Sequence, residues 1–278
     1  MPRGIFRLKQ VYEEQLSGNW STKGDVWNTP SPFRAAHPFG YFGGGGYPGP
    51  FSTVDRIDYS NDTPTAVAKG PLSASKGYRG ATGNASFGYF GGGNPGPVST
   101  VDRIDYSNDT ATATAKGPLS VGRYALAATG NADFGYFGGG CPAVSTVSTV
   151  DRIDYSNDTA TAAAKGPLSV GRKYLTATGN ADFGYFGGYP AISTVDRIDY
   201  SNDTATAAAK GNLTTSNWGI SATGNTSFGY FGGGSPPVST VDRIDYSNDT
   251  ATATTKGPLS LARLVSAATS AAANALPQ

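Results

Sequence analysis

The chain has 278 residues, a formal net charge of +1, 39 glycines, 18 prolines and one cysteine. Near-neutrality gives no electrostatic case for nucleic acid or an anionic membrane as partner, and a single cysteine excludes an intrachain disulfide. No stretch approaches the roughly 18 apolar residues of a helical membrane span, and the opening MPRGIFRLKQVYEEQ lacks the apolar centre of a secretory signal.

Residues 1–31 stand apart from everything that follows. The spacing of Phe6, Leu8, Val11, Tyr12 and Leu16 fits a short helix and an extended arm equally. Gly18 and Asn19 punctuate the segment, and Pro30 and Pro32 prevent a long regular element before the next unit. Two roles are open to it: a cap packed on the remaining domain (32–278), or an arm that docks on another subunit.

From residue 32 onward the chain repeats itself. STVDRIDYSND occurs five times, with its valine at Val54, Val101, Val150, Val195 and Val241, and each copy follows a GYFGG that begins at Gly40, Gly88, Gly135, Gly184 or Gly229. A period of about 45 to 50 residues is that of a β-propeller blade. In the second unit, four strands are expected: RGATGNASF from Arg79, FGYFGGG from Phe87, STVDRIDYSND from Ser99 and TATATAKGPLS from Thr110. Alternation places Ala111, Ala113 and Ala115 on one face of the fourth, a small-residue face that would let neighbouring sheets approach. Ser107, Asn108 and Asp109 make the turn between the third and fourth strands.

The terminal units are atypical. Arg123 precedes its GYFGG by 12 residues, but the equivalent Arg34 precedes Gly40 by only 6, too few for a first strand. The chain ends with LARLVSAATSAA, which begins like a first strand at Arg263 with no GYFGG behind it. The economical expectation is a five-bladed ring in which Leu264 to Thr269 complete the first blade and remove the exposed edges. An open β-solenoid or intertwined fibre is the competing architecture.

The repeated Asp-Arg-x-Asp invites an acid–base or Ca²⁺ reading. Five identical copies argue instead for an architectural Arg–Asp pair, because a reaction needs different groups converging on one site. Neither His37, the sole histidine, nor Cys141 has partners placed for catalysis or ligation. No catalytic residue, metal ligand or cofactor is therefore assigned. Two regions do vary among near-identical repeats: the turn after GYFGG, and the crossover between blades. Loops on rigid scaffolds carry specificity, and Tyr47, Tyr189, Lys173, Tyr174 and Trp218 are the variable residues suited to ligand contact, since exposed aromatics favour sugars or protein surfaces.

GYFGG, DRIDYSND, TATATAKGPLS and the crossover SVGRYA with Arg123 resemble the kelch β-propeller repeat over residues 32 to 270, although the family's tryptophan near the fourth strand is Thr or Ala here. The resemblance implies an all-β, five-bladed propeller of four-stranded blades. The GYFGG and DRIDYSND repeats behind a short head are also similar to virion structural proteins of tailed bacteriophages, marine and cyanobacterial ones in particular. That similarity implies a non-enzymatic tail, fibre or decoration component on the virion surface. Residues 1–31 would bind other virion proteins and the propeller a host glycan or receptor, with a homo-oligomer as one form. A soluble kelch-like adaptor or lectin-like binder is the alternative.

Overall fold

The computed structural model describes residues 39–46, 49–61, 63–189 and 193–263. The first sheet has three strands, β1 (Phe39–Gly45), β2 (Phe51–Asp58) and β3 (Val67–Lys69). Four four-stranded sheets follow: β4 (Gly80–Gly83) to β7 (Thr114–Lys116), with β5 (Phe87–Gly91) and β6 (Val101–Asp105); β8 (Ala127–Gly130) to β11 (Ala163–Lys165), with β9 (Phe134–Gly138) and β10 (Val150–Asp154); β12 (Thr176–Gly179) to β15 (Ala208–Ala209), with β13 (Phe183–Gly187) and β14 (Asp196–Asp199); and β16 (Ser221–Gly224) to β19 (Thr254–Lys256), with β17 (Phe228–Gly232) and β18 (Val241–Asp245). Every sheet is an antiparallel meander, and the innermost strands β4, β8, β12 and β16 lie beside one another in that order. This is the five-bladed propeller that the repeat predicts, with the first blade short of its innermost strand among the described residues.

Local chemistry explains each hairpin. Between β4 and β5, the Asn84 side-chain oxygen accepts from the Ser86 and Phe87 amides, at 2.8 and 3.0 Å, an Asx turn that short polar side chains favour. Between β6 and β7 the chain forms a single 3₁₀ turn, Tyr106–Asn108, capped by the Asp105 carboxylate, which accepts from the Ser107 amide at 2.9 Å. The expectation for the fourth strand needs correction. TATATA alternates like a six-residue strand, yet β7 pairs only Thr114–Lys116, and of the three alanines only Ala113 is buried.

The core lies between blades. Tyr89, Tyr136 and Tyr185, the tyrosines of GYFGG, are fully buried. Each stacks on the tyrosine of the next blade's 3₁₀ turn, as Tyr89 does on Tyr155 with ring centroids 4.8 Å apart. Such a stack adds about 0.5–1.5 kcal/mol beyond the area it buries. The phenylalanine of the next blade fills the hollow over a glycine: a Cβ on Gly91 would lie 2.7 Å from the Phe137 ring. Gly117 is tighter still, because a Cβ there would run into the Ala160 carbonyl of the following blade. Glycine brings the sheets together, and the alanine face of the fourth stretch contributes one buried residue to each joint, Ala113, Ala162, Ala207 and Ala253.

The repeated aspartate closes each joint. Asp158 accepts from the Tyr89 hydroxyl at 2.9 Å and from Arg103 at 2.7 Å, and it pairs with Lys116 at 3.2 Å, all three from the preceding blade. Asp109, Asp203 and Asp249 do the same for their neighbours. The architectural Arg–Asp pair is therefore an inter-blade contact. Burial works to raise the Asp158 carboxyl, but the hydrogen bonds from Tyr89, Lys116 and Arg103 outweigh it and hold it below the ordinary value. Residues 1–31, Arg34, His37 and the segment Leu264 to Thr269 lie outside the described residues.

Candidate functional site

The two variable regions of the repeat meet at one end of the blades. Isolated bridges join the crossover to the turn after GYFGG: Gly77 to Asn94, Tyr124 to Cys141 and Trp218 to Ser235. Regions far apart in sequence thus form a single rim.

Beneath the rim, each crossover is pinned by a buried charge. Arg123 and Asp151 are both fully buried and 2.8 Å apart, and Arg123 also donates to the Phe137 carbonyl at 3.0 Å. Burial pulls the guanidinium below its ordinary value, and Asp151 pushes back. Arg172 pairs with Asp196 in the next blade, and Arg79 with Asp102 in the blade before. In the fifth blade the arginine position is Asn217, and Asp242 is held by the Thr214 amide and hydroxyl, both at 2.7 Å, as Ser73, Ser120 and Ser169 bond their aspartates in the other blades. Such pairs fix register more than they add net stability.

Above these pins the backbone makes a belt. Tyr78, Ala125, Tyr174 and Gly219 occupy equivalent positions, all with left-handed φ, at 58°, 55°, 53° and 65°. The turn aims each amide at the preceding blade. Ala125 donates to the Tyr78 carbonyl at 2.9 Å, Tyr174 to Ala125 at 2.8 Å and Gly219 to Tyr174 at 3.3 Å. A left-handed L-residue costs about 1–2 kcal/mol, so placing Tyr rather than Gly at two of these positions carries a penalty that the belt must offset.

The side chains on this belt surround a cavity of about 810 Å³ lined by Tyr78, Lys173, Tyr174, Tyr189 and Trp218, with alanines of the inner strands as its floor. Tyr174 is the hub. Its ring meets Tyr78 at 6.1 Å and 73°, Tyr189 at 6.3 Å and 78° and Trp218 at 5.7 Å. The Lys173 ammonium sits 5.7 Å from the Tyr174 ring centre. Tyr78 is 49% and Trp218 38% exposed, so aromatic surface is presented to solvent. Among the described residues no carboxylate lines the cavity, and Arg79 is already held by Asp102, which leaves Lys173 as the accessible cation of that lining.

Four of the five residues chosen from sequence, Lys173, Tyr174, Tyr189 and Trp218, thus line one cavity, and Tyr47 lies outside the described residues. Sequence reasoning missed Tyr78, although it sits in the variable crossover SASKGYRG. Its signal was the alignment of crossovers, which places it with Tyr174. Among the described residues no three His, Cys, Asp or Glu side chains gather as a metal site. Asp105 caps its own turn and Asp109 serves the neighbouring blade.

Fold and rim together define a β-propeller with a ligand-sized cavity at one end. No protein-family model and no curated protein matches the sequence. The chain is similar in structure to YjhT, with a TM-score of 0.67 over 84% of each chain at 10% identity. At that identity the similarity establishes the fold alone.

Proposed function

We propose that the protein is a non-catalytic binding module that takes a saccharide at the aromatic rim. The observation that carries this reading is the convergence of Lys173, Tyr174, Tyr189 and Trp218 with Tyr78 on one cavity. Concave sites with aromatic walls and a few polar groups are the usual form of small-ligand sites. Aromatic faces suit the apolar C–H faces of a sugar ring, while the tyrosine hydroxyls and the Lys173 ammonium supply polar contacts at its edge. The two tyrosines held at left-handed φ support it, because strain of this kind collects at ligand clamps.

The repeat wording supports a more particular setting. We place the module on a tailed-phage particle, as a tail, fibre or decoration component, with residues 1–31 docked on a neighbouring virion protein and the rim turned towards the host surface. The direct test of binding is a glycan-array screen of the full chain, followed by calorimetry with each hit on wild type and Trp218→Ala. Hits that lose at least tenfold in affinity support the reading. A folded chain that binds no saccharide, or binds equally well without Trp218, refutes it. The virion setting is tested separately, by labelling purified phage with antibody to the chain.

A further inference from the structure

The described blades turn their exposed carboxylates away from the rim. β5 runs from Phe87, opposite Asp105, to Gly91, opposite Val101, and from there into the turn that joins the rim. The aspartates that cap the 3₁₀ turns, such as Asp105, therefore lie at the far end, together with joint aspartates such as Asp158 and the exposed Asp133 and Asp182 of the β8–β9 and β12–β13 hairpins. On the rim side the carboxylates are those beneath the crossovers, Asp102, Asp151, Asp196 and Asp242, all buried, and their half-buried first-blade counterpart Asp55. Lys76, Lys173 and Arg263 stand on that side, and among the described residues none of them meets a carboxylate. Lys76 donates to the Pro95 carbonyl, Arg263 donates to the Leu261 carbonyl and Lys173 approaches the Tyr174 ring.

Of these three cations, Lys173 alone lines the cavity, and the other described crossovers have the uncharged Gly77, Tyr124 and Trp218 at its position. Its mount is rigid. The Arg172 carbonyl accepts from the Gly140 amide at 2.7 Å, the Arg172 side chain is fixed on buried Asp196, and the Tyr174 amide donates to the Ala125 carbonyl at 2.8 Å. An ammonium held in a concave site, with no carboxylate in its lining, is a ready partner for an anion that a ligand brings. On the basis of the saccharide assignment, we propose that the ligand is an acidic saccharide, whose carboxylate or sulfate group pairs with the Lys173 ammonium while its ring lies against Tyr174 or Trp218. A neutral sugar leaves that charge unanswered. The carboxylates at the far end repel an anionic ligand there and so favour its approach to the rim.

The test screens the full chain on an array that carries carboxylate- and sulfate-bearing glycans beside their carboxyl-reduced and desulfated forms. Calorimetry of the best matched pair follows, on wild type, Lys173→Gln and Lys173→Arg. In wild type the acidic form is expected to bind about five- to tenfold more tightly than its neutral form. That advantage should vanish in Lys173→Gln, survive in Lys173→Arg and shrink when the salt concentration is raised about tenfold. Which acidic set supplies the hits distinguishes a carboxylate from a sulfate ligand. Neutral forms that bind as tightly as acidic ones overturn the proposal and leave the saccharide assignment standing. A Lys173→Gln protein that weakens both forms equally does the same, because Lys173 would then only support the Tyr174 ring. A folded chain that binds no glycan overturns both.

Discussion

Asp158, in the turn of the third blade, accepts a 2.9 Å hydrogen bond from the hydroxyl of Tyr89 in the second. The same carboxylate holds Arg103 and Lys116, so one side chain satisfies three groups across a blade boundary. Asp158→Ala strands all three in a largely buried place. A loss of about 2–4 kcal/mol is expected, read as a lower urea midpoint at unchanged slope. A change under 0.5 kcal/mol would show that the joint rests on packing alone.

Acid should loosen the same joints. Asp109 and Asp158 have folded values held below the ordinary 3.8. A depressed folded value contributes stability that is complete above the unfolded value and is lost as pH falls through the folded one. The thermal midpoint is therefore expected to stay level from pH 7 to 5 in respect of these groups and to fall below about pH 4. Asp158→Asn should show a shallower fall than wild type; an identical acid slope would contradict the assignment.

Gly117 donates its amide to the Asp158 carbonyl at 2.8 Å while its α-carbon lies against the Ala160 carbonyl. Gly117→Ala pushes a methyl into backbone, which has no rotamer to yield. A cost of about 3 kcal/mol or more is expected, visible as loss of the cooperative melt or a large fall in its midpoint. By contrast Gly96, around which a Cβ finds open space but with φ of 65°, should lose only about 1 kcal/mol on change to alanine.

Tyr174→Gly separates binding from folding. Glycine is relaxed at a φ of 53°, so the melting midpoint should stay within about 2 °C of wild type. The hub of the aromatic cluster disappears, however, and saccharide affinity should fall at least tenfold, about 1.4 kcal/mol. Retained affinity would move the ligand away from Tyr174.

The blade was legible because the sequence states it five times. GYFGG and VDRID read as strands, and the Asn and Asp near their ends read as turns. What could not be read was direction across the boundary. Nothing local tells that Asp105 serves its own turn while Asp109 serves the previous blade. The fourth strand is shorter than its alternation predicts for the same reason: Ala111 turns its carbonyl against Gly70 of the preceding blade instead of pairing in the sheet. Lys173, Tyr174, Tyr189 and Trp218 were legible because variation among copies marks loops free of the blade's constraints. Tyr78 was not, because its importance lies in a backbone angle that aligns it with Tyr174 and with the small residues Ala125 and Gly219.

The hydrogen-bonded belt through Tyr78, Ala125, Tyr174 and Gly219 is made wholly of main-chain atoms, so its hydrogen bonds need no particular side chain, and the left-handed φ is the one cost shared by every non-glycine residue placed there. Two tyrosines, an alanine and a glycine already occupy the same geometry in one molecule. Recognition and architecture are thereby uncoupled: the rim can be rewritten one residue at a time, much as an antibody rewrites its loops, while the frame keeps its shape. Randomising Tyr78, Tyr174, Lys173 and Trp218 would give a repertoire of binding faces on one invariant support.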